Sequence, residues 1–200
     1  MSYEYYTDTP VQRKGKYTKI KKDVFEWLEI AVVCVIFLVL LLTLTFRVVN
    51  ITGESMENTF YGKERIIISN LFYNPEYGDV VVISRNMDNS SDEVAKQPLI
   101  KRVIATEGQT VDIDFDKGVV YVDGQALIES YTKTPTNLRY DIKFPVTVPE
   151  GCVFVMGDNR NRSIDSRSST IGVNGMIDER YILGKAIFRI YPFSRAGSLE

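Results

Sequence analysis

Apolar positions along this chain follow two rhythms. From Ile30 to Phe46 no residue carries a charge. That run is near the shortest that can cross a bilayer as a helix, and Trp27, Leu28, Val48 and Val49 lengthen it. Beyond it the apolar residues come in short β-branched and aromatic groups separated by turn residues. Arg65–Ile68, Asp79–Ile83, Leu99–Ile104, Val119–Val122 and Cys152–Met156 predict strands. Asn74-Pro75 and Gly78-Asp79 mark turns, and Asp123-Gly124 predicts a tight hairpin joining Val119–Val122 to Ala126–Ile128. No stretch after Phe46 sustains a long helical period, although one helical turn fits Glu57–Tyr61. Ser84–Gln97 and Tyr131–Tyr140 read as loops. The pattern predicts one apolar helix followed by a mainly antiparallel β region with coiled or partly closed sheets.

Charge gives the apolar run a direction. Arg13, Lys14, Lys16, Lys19, Lys21 and Lys22 precede it, and Arg47 alone closes it. The positive-inside rule then makes residues 1–26 a cytoplasmic basic tail, 27–47 a membrane anchor and 48–200 an extracytoplasmic domain. A cleavable secretory signal is the rival reading. The tail is long for one, and Val48-Val49-Asn50-Ile51 lacks the small residues of a cleavage site, so a retained anchor is expected. The remaining length suits one sizeable domain or two small ones sharing a core.

Composition removes several kinds of chemistry. A net charge of −2 gives no reason to expect nucleic-acid binding. The two cysteines, Cys34 in the span and Cys152 beyond it, fall on different sides of the membrane boundary and cannot pair. The chain has no histidine. Ser-His-Asp triads, Cys-His pairs and His-rich zinc sites are therefore excluded, and no metal or cofactor is expected. A nucleophilic enzyme built on this chain needs another base.

Lys101 is the candidate. Strand alternation sets Leu99, Lys101 and Val103 on one face and Ile100, Arg102 and Ile104 on the other, so Lys101 has apolar neighbours. An ordinary lysine, with a pKa near 10.4, is neutral about once in 2,500 at pH 7. Lowering that pKa by about 2 to 3, at roughly 3 to 4 kcal/mol, yields a usable population of free amine. Such an amine can take the proton of a serine hydroxyl without a histidine. The plainer alternative is a lysine with a packed stem and a solvated head. Ser55, in Thr52-Gly53-Glu54-Ser55-Met56-Glu57-Asn58-Thr59, follows a strand-like stretch, which suits presentation of a hydroxyl together with its backbone N–H. It could equally cap the turn that follows. Extended chain from Arg47 to Ser55 reaches at most roughly 28 Å, which keeps chemistry at Ser55 close to the membrane surface. The polar run Gly157–Arg167 reads as a loop held by Asp–Arg pairs and able to orient a neighbouring lysine.

Four segments together resemble the motif series of the type I (bacterial-type) signal peptidases. They are Ser55-Met56-Glu57-Asn58-Thr59, Tyr77-Gly78-Asp79-Val80-Val81-Val82, Leu99-Ile100-Lys101-Arg102-Val103-Ile104, and Gly157-Asp158-Asn159-Arg160 running through Ser163, Asp165, Ser166 and Arg167. Gly184-Lys185-Ala186 with Phe188-Arg189 is similar to the family's ending. The resemblance implies the antiparallel β catalytic domain of that family, Ser55 as nucleophile, Lys101 as general base and then acid, and Ser163 as the hydroxyl that orients Lys101. It also implies Asp158–Arg102 and Asp165–Arg167 as structural pairs, and the Ser55 N–H as part of the oxyanion hole. Two positions depart from the family. Asn58 stands where many members carry proline, and Gly53 stands where some carry a serine that helps hold the oxyanion. Gly53 and the short loop at Ser84–Gln97 are closer to the compact Gram-positive type.

By the same resemblance the partners are secretory preproteins and the lipid bilayer. The substrate is the segment that follows a preprotein's apolar stretch, bound extended beside Asn50–Gly53 and Leu99–Lys101. Ile51, Met56 and Ile100 are the candidate walls that admit only small residues, Ala-X-Ala, before the cut. Two other functions compete. A non-enzymatic tethered β-domain would need neither Ser55 nor Lys101. A self-cleaving repressor-type regulator would need a DNA-binding part where this chain has a span. A sortase-like transpeptidase is excluded by the missing histidine.

Overall fold

The computed structural model describes residues 14–85 and 97–199, with side chains from Lys21 onward. Arg13, the side chains of Lys14, Lys16 and Lys19, and residues 86–96 of the expected loop lie outside the described residues. Two units divide near Thr45, one covering Met1–Leu44 and the other Thr45–Glu200.

The first unit carries α1, Lys14–Thr45. Its segment Lys21–Thr45 is long and apolar enough to cross a membrane. Helix ends at Thr45, so Phe46 and Arg47, expected in the span, are strand instead. They open β1, Phe46–Asn50, whose five residues pair in register with β2, Arg65–Ser69. Phe, Val and Arg alternating after a helical run satisfy a sheet edge as readily as a helix end, and pairing with β2 decides between them.

In chain order there follow β3 Val80–Ile83, β4 Leu99–Ala105, β5 Thr110–Asp114, β6 Val119–Val122, β7 Gln125–Ala126, β8 Val146–Thr147, β9 Cys152–Met156, β10 Ile177–Asp178, β11 Ile182–Tyr191 and β12 Gly197–Ser198. All the pairings are antiparallel, as expected. The large sheet runs β1-β2-β11-β3-β4-β9-β10, with β12 on β11; the small one runs β7-β6-β5-β8. Among the described residues, helix after Thr45 is confined to three short 3-10 turns. The hairpin at Asp123-Gly124 forms with φ of 51° and 76°, the left-handed pair that a two-residue connection requires.

Apolar packing lies on both sides of the large sheet. Val80, Val82 and Ile100 pack with Ile51, Met56, Phe60, Ile66 and Ile68. Val81, Ile83 and Val103 pack with Val153, Val155, Ile171 and Ile177. A third cluster joins the sheets through Ile104, Val111, Val120, Phe154 and Met156. One detail of register matters most. β3 pairs with β4 along Leu99–Arg102, whereas β9 pairs only with Arg102–Ala105. Among the described residues the outer edge of Leu99–Lys101 therefore carries no strand.

Candidate active site

The segment from Ile51 to Lys63 begins along a groove shared with that edge. Two backbone bonds form its neck, Ile51 N–H to Glu64 O at 2.8 Å and Lys63 N–H to Ile51 O at 2.9 Å. Met56 and Phe60 are buried beneath it, and Phe60 N–H reaches Met56 O at 2.7 Å. In place of the helical turn expected over Glu57–Tyr61 there is a non-helical turn over Met56–Phe60. Asn58 prevents a helix here, because its φ of 96° lies outside the helical range.

Ser55 is held at the crest of this turn from behind. Asn159 N–H donates to Ser55 O at 3.0 Å, and Asn159 Nδ2 donates to Glu54 O at 3.0 Å. Gly157 allows the close approach. A Cβ there would fall 2.5 Å from Ser55 O and 2.3 Å from Ser163 Oγ. Neither Gly157 nor Asn159 is legible as a positioning residue in sequence; a glycine opening a polar run after a buried strand was the available signal.

Lys101 reaches across from β4, and its Nζ donates to Ser55 Oγ at 2.8 Å. The side chain is 2% exposed. Val81 stands opposite it on β3, and Leu99 and Val103 flank it on its own face. Burial lowers its pKa to about 8; Asp165 acts against the shift and Arg85 and Arg167 add to it. The amine is a base near neutral pH, poised on an alcohol.

Ser163 is 1% exposed, and its Oγ has no hydrogen-bond partner. The expected Ser163–Lys101 bond is therefore not formed, since the Lys101 amine is turned to Ser55 and Ser163 Oγ is packed against the Cα of Gly157. The two structural pairs are present. Arg102 Nε and Nη2 donate to Asp158 at 2.9 and 2.7 Å, and Arg167 donates to Asp165 at 2.8 and 2.9 Å. Asp165 also accepts Gly157 N–H at 3.0 Å. Burial alone would raise the Asp165 pKa, but Arg167, the Gly157 N–H and Lys101 outweigh it and hold the carboxyl below its ordinary range.

The structure adds Thr59 to this frame. Its hydroxyl donates to Asp158 at 2.5 Å, and its carbonyl accepts from Arg189 at 2.6 Å. The turn after Ser55 is thereby tied both to the Arg102 pair and to β11. Arg160, wholly buried, is held by Glu129 and Thr136.

Ile51, Met56 and Ile100 meet in one groove of about 130 Å³, together with Gly53, Ser55, Arg85, Pro98 and Lys101. Gly53 has a φ of 83°, which residues with a Cβ rarely adopt, and open space where a side chain would stand. Among the described residues no group of three acidic or cysteine side chains could hold a metal ion.

Residues 24–191 match the family model described as signal peptidase, peptidase S26. The chain is 40% identical over 169 residues, 81% of each chain, to a probable signal peptidase I-1 of Synechocystis. It is 32% identical over 190 residues to a signal peptidase I of Bacillus licheniformis, covering 90% of this chain and 95% of that one. A solved signal peptidase I from Enterococcus faecalis V583 aligns with 56% of this chain and 97% of its own, at 28% identity and a TM-score of 0.42.

Proposed function

Because the chain belongs to the signal peptidase family, peptidase S26, and is a serine endopeptidase that removes signal peptides, we propose that it cuts with a Ser55–Lys101 dyad at the outer face of the membrane holding its anchor. The observation that carries this reading is the 2.8 Å contact between a buried lysine amine and a serine hydroxyl.

Neutral Lys101 takes the Ser55 proton as Oγ attacks the scissile carbonyl. The resulting oxyanion lies beside the Ser55 N–H. Lys101, now an ammonium, gives its proton to the departing amine, and the peptide C–N bond breaks to leave an ester on Ser55. Water enters, Lys101 takes its proton in turn, and hydrolysis frees the signal peptide and restores both side chains. Ser163 steadies the amine when it leaves Ser55. Asp158–Arg102 and Asp165–Arg167 hold the surrounding frame.

The substrate lies as an added strand on the open edge of Leu99–Lys101. Ile51, Met56 and Ile100 form apolar walls of the groove beside Ser55, and such walls against the residues before the cut favour the small side chains of Ala-X-Ala. Residues 1–26 form the cytoplasmic tail, the helix from Trp27 to Thr45 the anchor, and the chain from β1 onward the extracytoplasmic catalytic domain, following the excess of lysine and arginine before the span. Confinement of enzyme and preprotein to one surface raises their effective concentration.

The test is incubation of the full-length protein with a preprotein carrying Ala at the first and third positions before its cut, with the new N-terminus mapped. Cleavage after the second of these alanines is expected from the natural chain, and none from Ser55→Ala or Lys101→Ala. A Ser55→Ala protein that cuts at the normal rate refutes the dyad.

A further inference from the structure

Glu64 ends the segment that carries Ser55 and serves it twice. Its carbonyl accepts Ile51 N–H at 2.8 Å, which closes the neck. Its carboxylate faces two arginines from late in the chain, Arg189 on β11 and Arg195 in the 3-10 turn Phe193–Arg195. Arg195 Nη1 donates to Glu64 Oε1 at 2.7 Å. Arg189 Nε stands 3.1 Å from Glu64 Oε2 as a charge contact without hydrogen-bond alignment. Glu64 and Arg189 are buried, and Arg195 completes the group from the surface, its side chain 39% exposed.

Both guanidiniums also reach one carbonyl. Arg189 Nη2 donates to Thr59 O at 2.6 Å, and Arg195 Nη2 donates to it at 3.4 Å. They lie over the rings of Phe60 and Tyr61, each at 4.9 Å. Thr59 N–H in turn donates to Met56 O at 3.1 Å, one residue from the nucleophile. The path from Glu64 to Ser55 therefore runs through two guanidiniums, Thr59 and Met56. None of the three charged residues is among the described residues that line the groove, so they act on the turn and not on a substrate. Apolar side chains would fill the same space without the cost of burying charge. What the charges add is direction, because two planar forks fix where a carbonyl stands.

Resting on the proposed dyad, we infer that Glu64, Arg189 and Arg195 are positioning residues for the cleavage: they hold Thr59 O, and through the turn they keep Ser55 Oγ within reach of Lys101. Arg195 stands beyond the stretch 24–191 that matches the family model, so this part of the grip lies outside the motif segments.

The test uses Arg195→Met, Arg195→Lys and Glu64→Gln in the full-length protein, with Ser55→Ala beside them, on a preprotein carrying Ala at the first and third positions before its cut. Arg195→Met is expected to lower kcat about tenfold, because small displacements of a reacting group are costly, and to leave KM and the folded fraction at the assay temperature unchanged. Arg195→Lys keeps the charge and should recover part of the loss. Glu64→Gln should lose at least as much kcat as Arg195→Met. A purely structural role would lower the rate only as far as the folded fraction falls. Arg195→Met with the wild-type kcat overturns the inference, as does a loss that the folded fraction accounts for, or one confined to KM. If Glu64→Gln does not fold, the two Arg195 variants decide in the same way. Ser55→Ala keeps the two readings apart. If it cuts, the dyad falls and the positioning with it; if it is inactive while Arg195→Met cuts at the wild-type kcat, the positioning alone falls.

Discussion

The two faces of β4 treat a buried cation in opposite ways. Lys101 and Arg102 are neighbours in sequence, and both are nearly inaccessible, at 2% and 6% exposed. Arg102 meets a carboxylate through two bonds, donates to Gly78 O at 2.6 Å and lies over the Tyr131 ring at 4.0 Å. Lys101 meets an alcohol. A fully partnered cation keeps its charge and fastens the loops around it. One buried against apolar side chains with only a hydroxyl to greet it gives up its proton easily. Burial is common to both; a guanidinium holds its proton under any burial, whereas an amine does not, so the lysine is the one that can become chemistry.

Breaking the partnered side should have the largest effect on folding. Arg102→Met strands Asp158 in the interior and is expected to cost about 3–5 kcal/mol, read by thermal or denaturant unfolding of the full chain. A loss under about 1 kcal/mol would mean that the pair contributes little and that the contrast is false.

The same substitution one residue earlier should have the opposite sign. Lys101→Met removes a desolvated amine and keeps an apolar stem, so it should abolish cleavage while raising stability at pH 7 by up to about 3 kcal/mol, the difference between pKa values of 10.5 and about 8. If Lys101→Met weakens the fold as Arg102→Met does, the lysine is a structural residue after all.

Acidity sharpens the point. Under the proposed dyad, cleavage needs the neutral amine, so kcat/KM should rise about tenfold per pH unit up to roughly pH 8 and then level off. Between about pH 8 and 10.5 the unfolded chain holds the Lys101 proton and the folded one does not, so this group's contribution to stability should increase with pH across that window and stay constant below it. A rate still climbing at pH 10 would belong to an undepressed lysine.

The smallest expected effect lies at the margin of the partnered face. Asn58 Nδ2 donates to Tyr131 O at 3.0 Å, next to the ring that Arg102 covers. Asn58→Asp loses that donor and should cost about 1 kcal/mol, with Lys101 titrating as before. A displaced pH–rate profile in that variant would show that the two faces are not independent.

Much of this contrast could be read in the sequence. The alternation along Leu99–Ile104 puts Lys101 and Arg102 on opposite faces, and the missing histidine points to the lysine as base. The strands expected at Arg65–Ile68, Val119–Val122 and Cys152–Met156 lie within β2, β6 and β9. What escaped depends on contacts between distant segments. β11 is the longest strand, but Gly184 and its register shifts against β2 and β3 interrupt the alternation that would reveal it. Asp112 and Asp114 obscure β5, because acidic residues are poor strand formers. β1 is hidden at the end of an apolar run. The lysine's choice between two hydroxyls is a matter of rotamers, and the closeness of Gly157 to Ser55 O arises from packing across about a hundred residues of chain.

The position of β11 has a consequence for biosynthesis. It lies between β2 and β3 in the middle of the large sheet, yet in chain order it follows every other strand except β12. Until β11 is made, β2 and β3 have no strand to join them, and the turn bearing Ser55 lacks the Arg189 contact to Thr59 O. Ser55 is made early and its scaffold closes late. A chain whose last long strand has yet to be made therefore has no closed scaffold around Ser55.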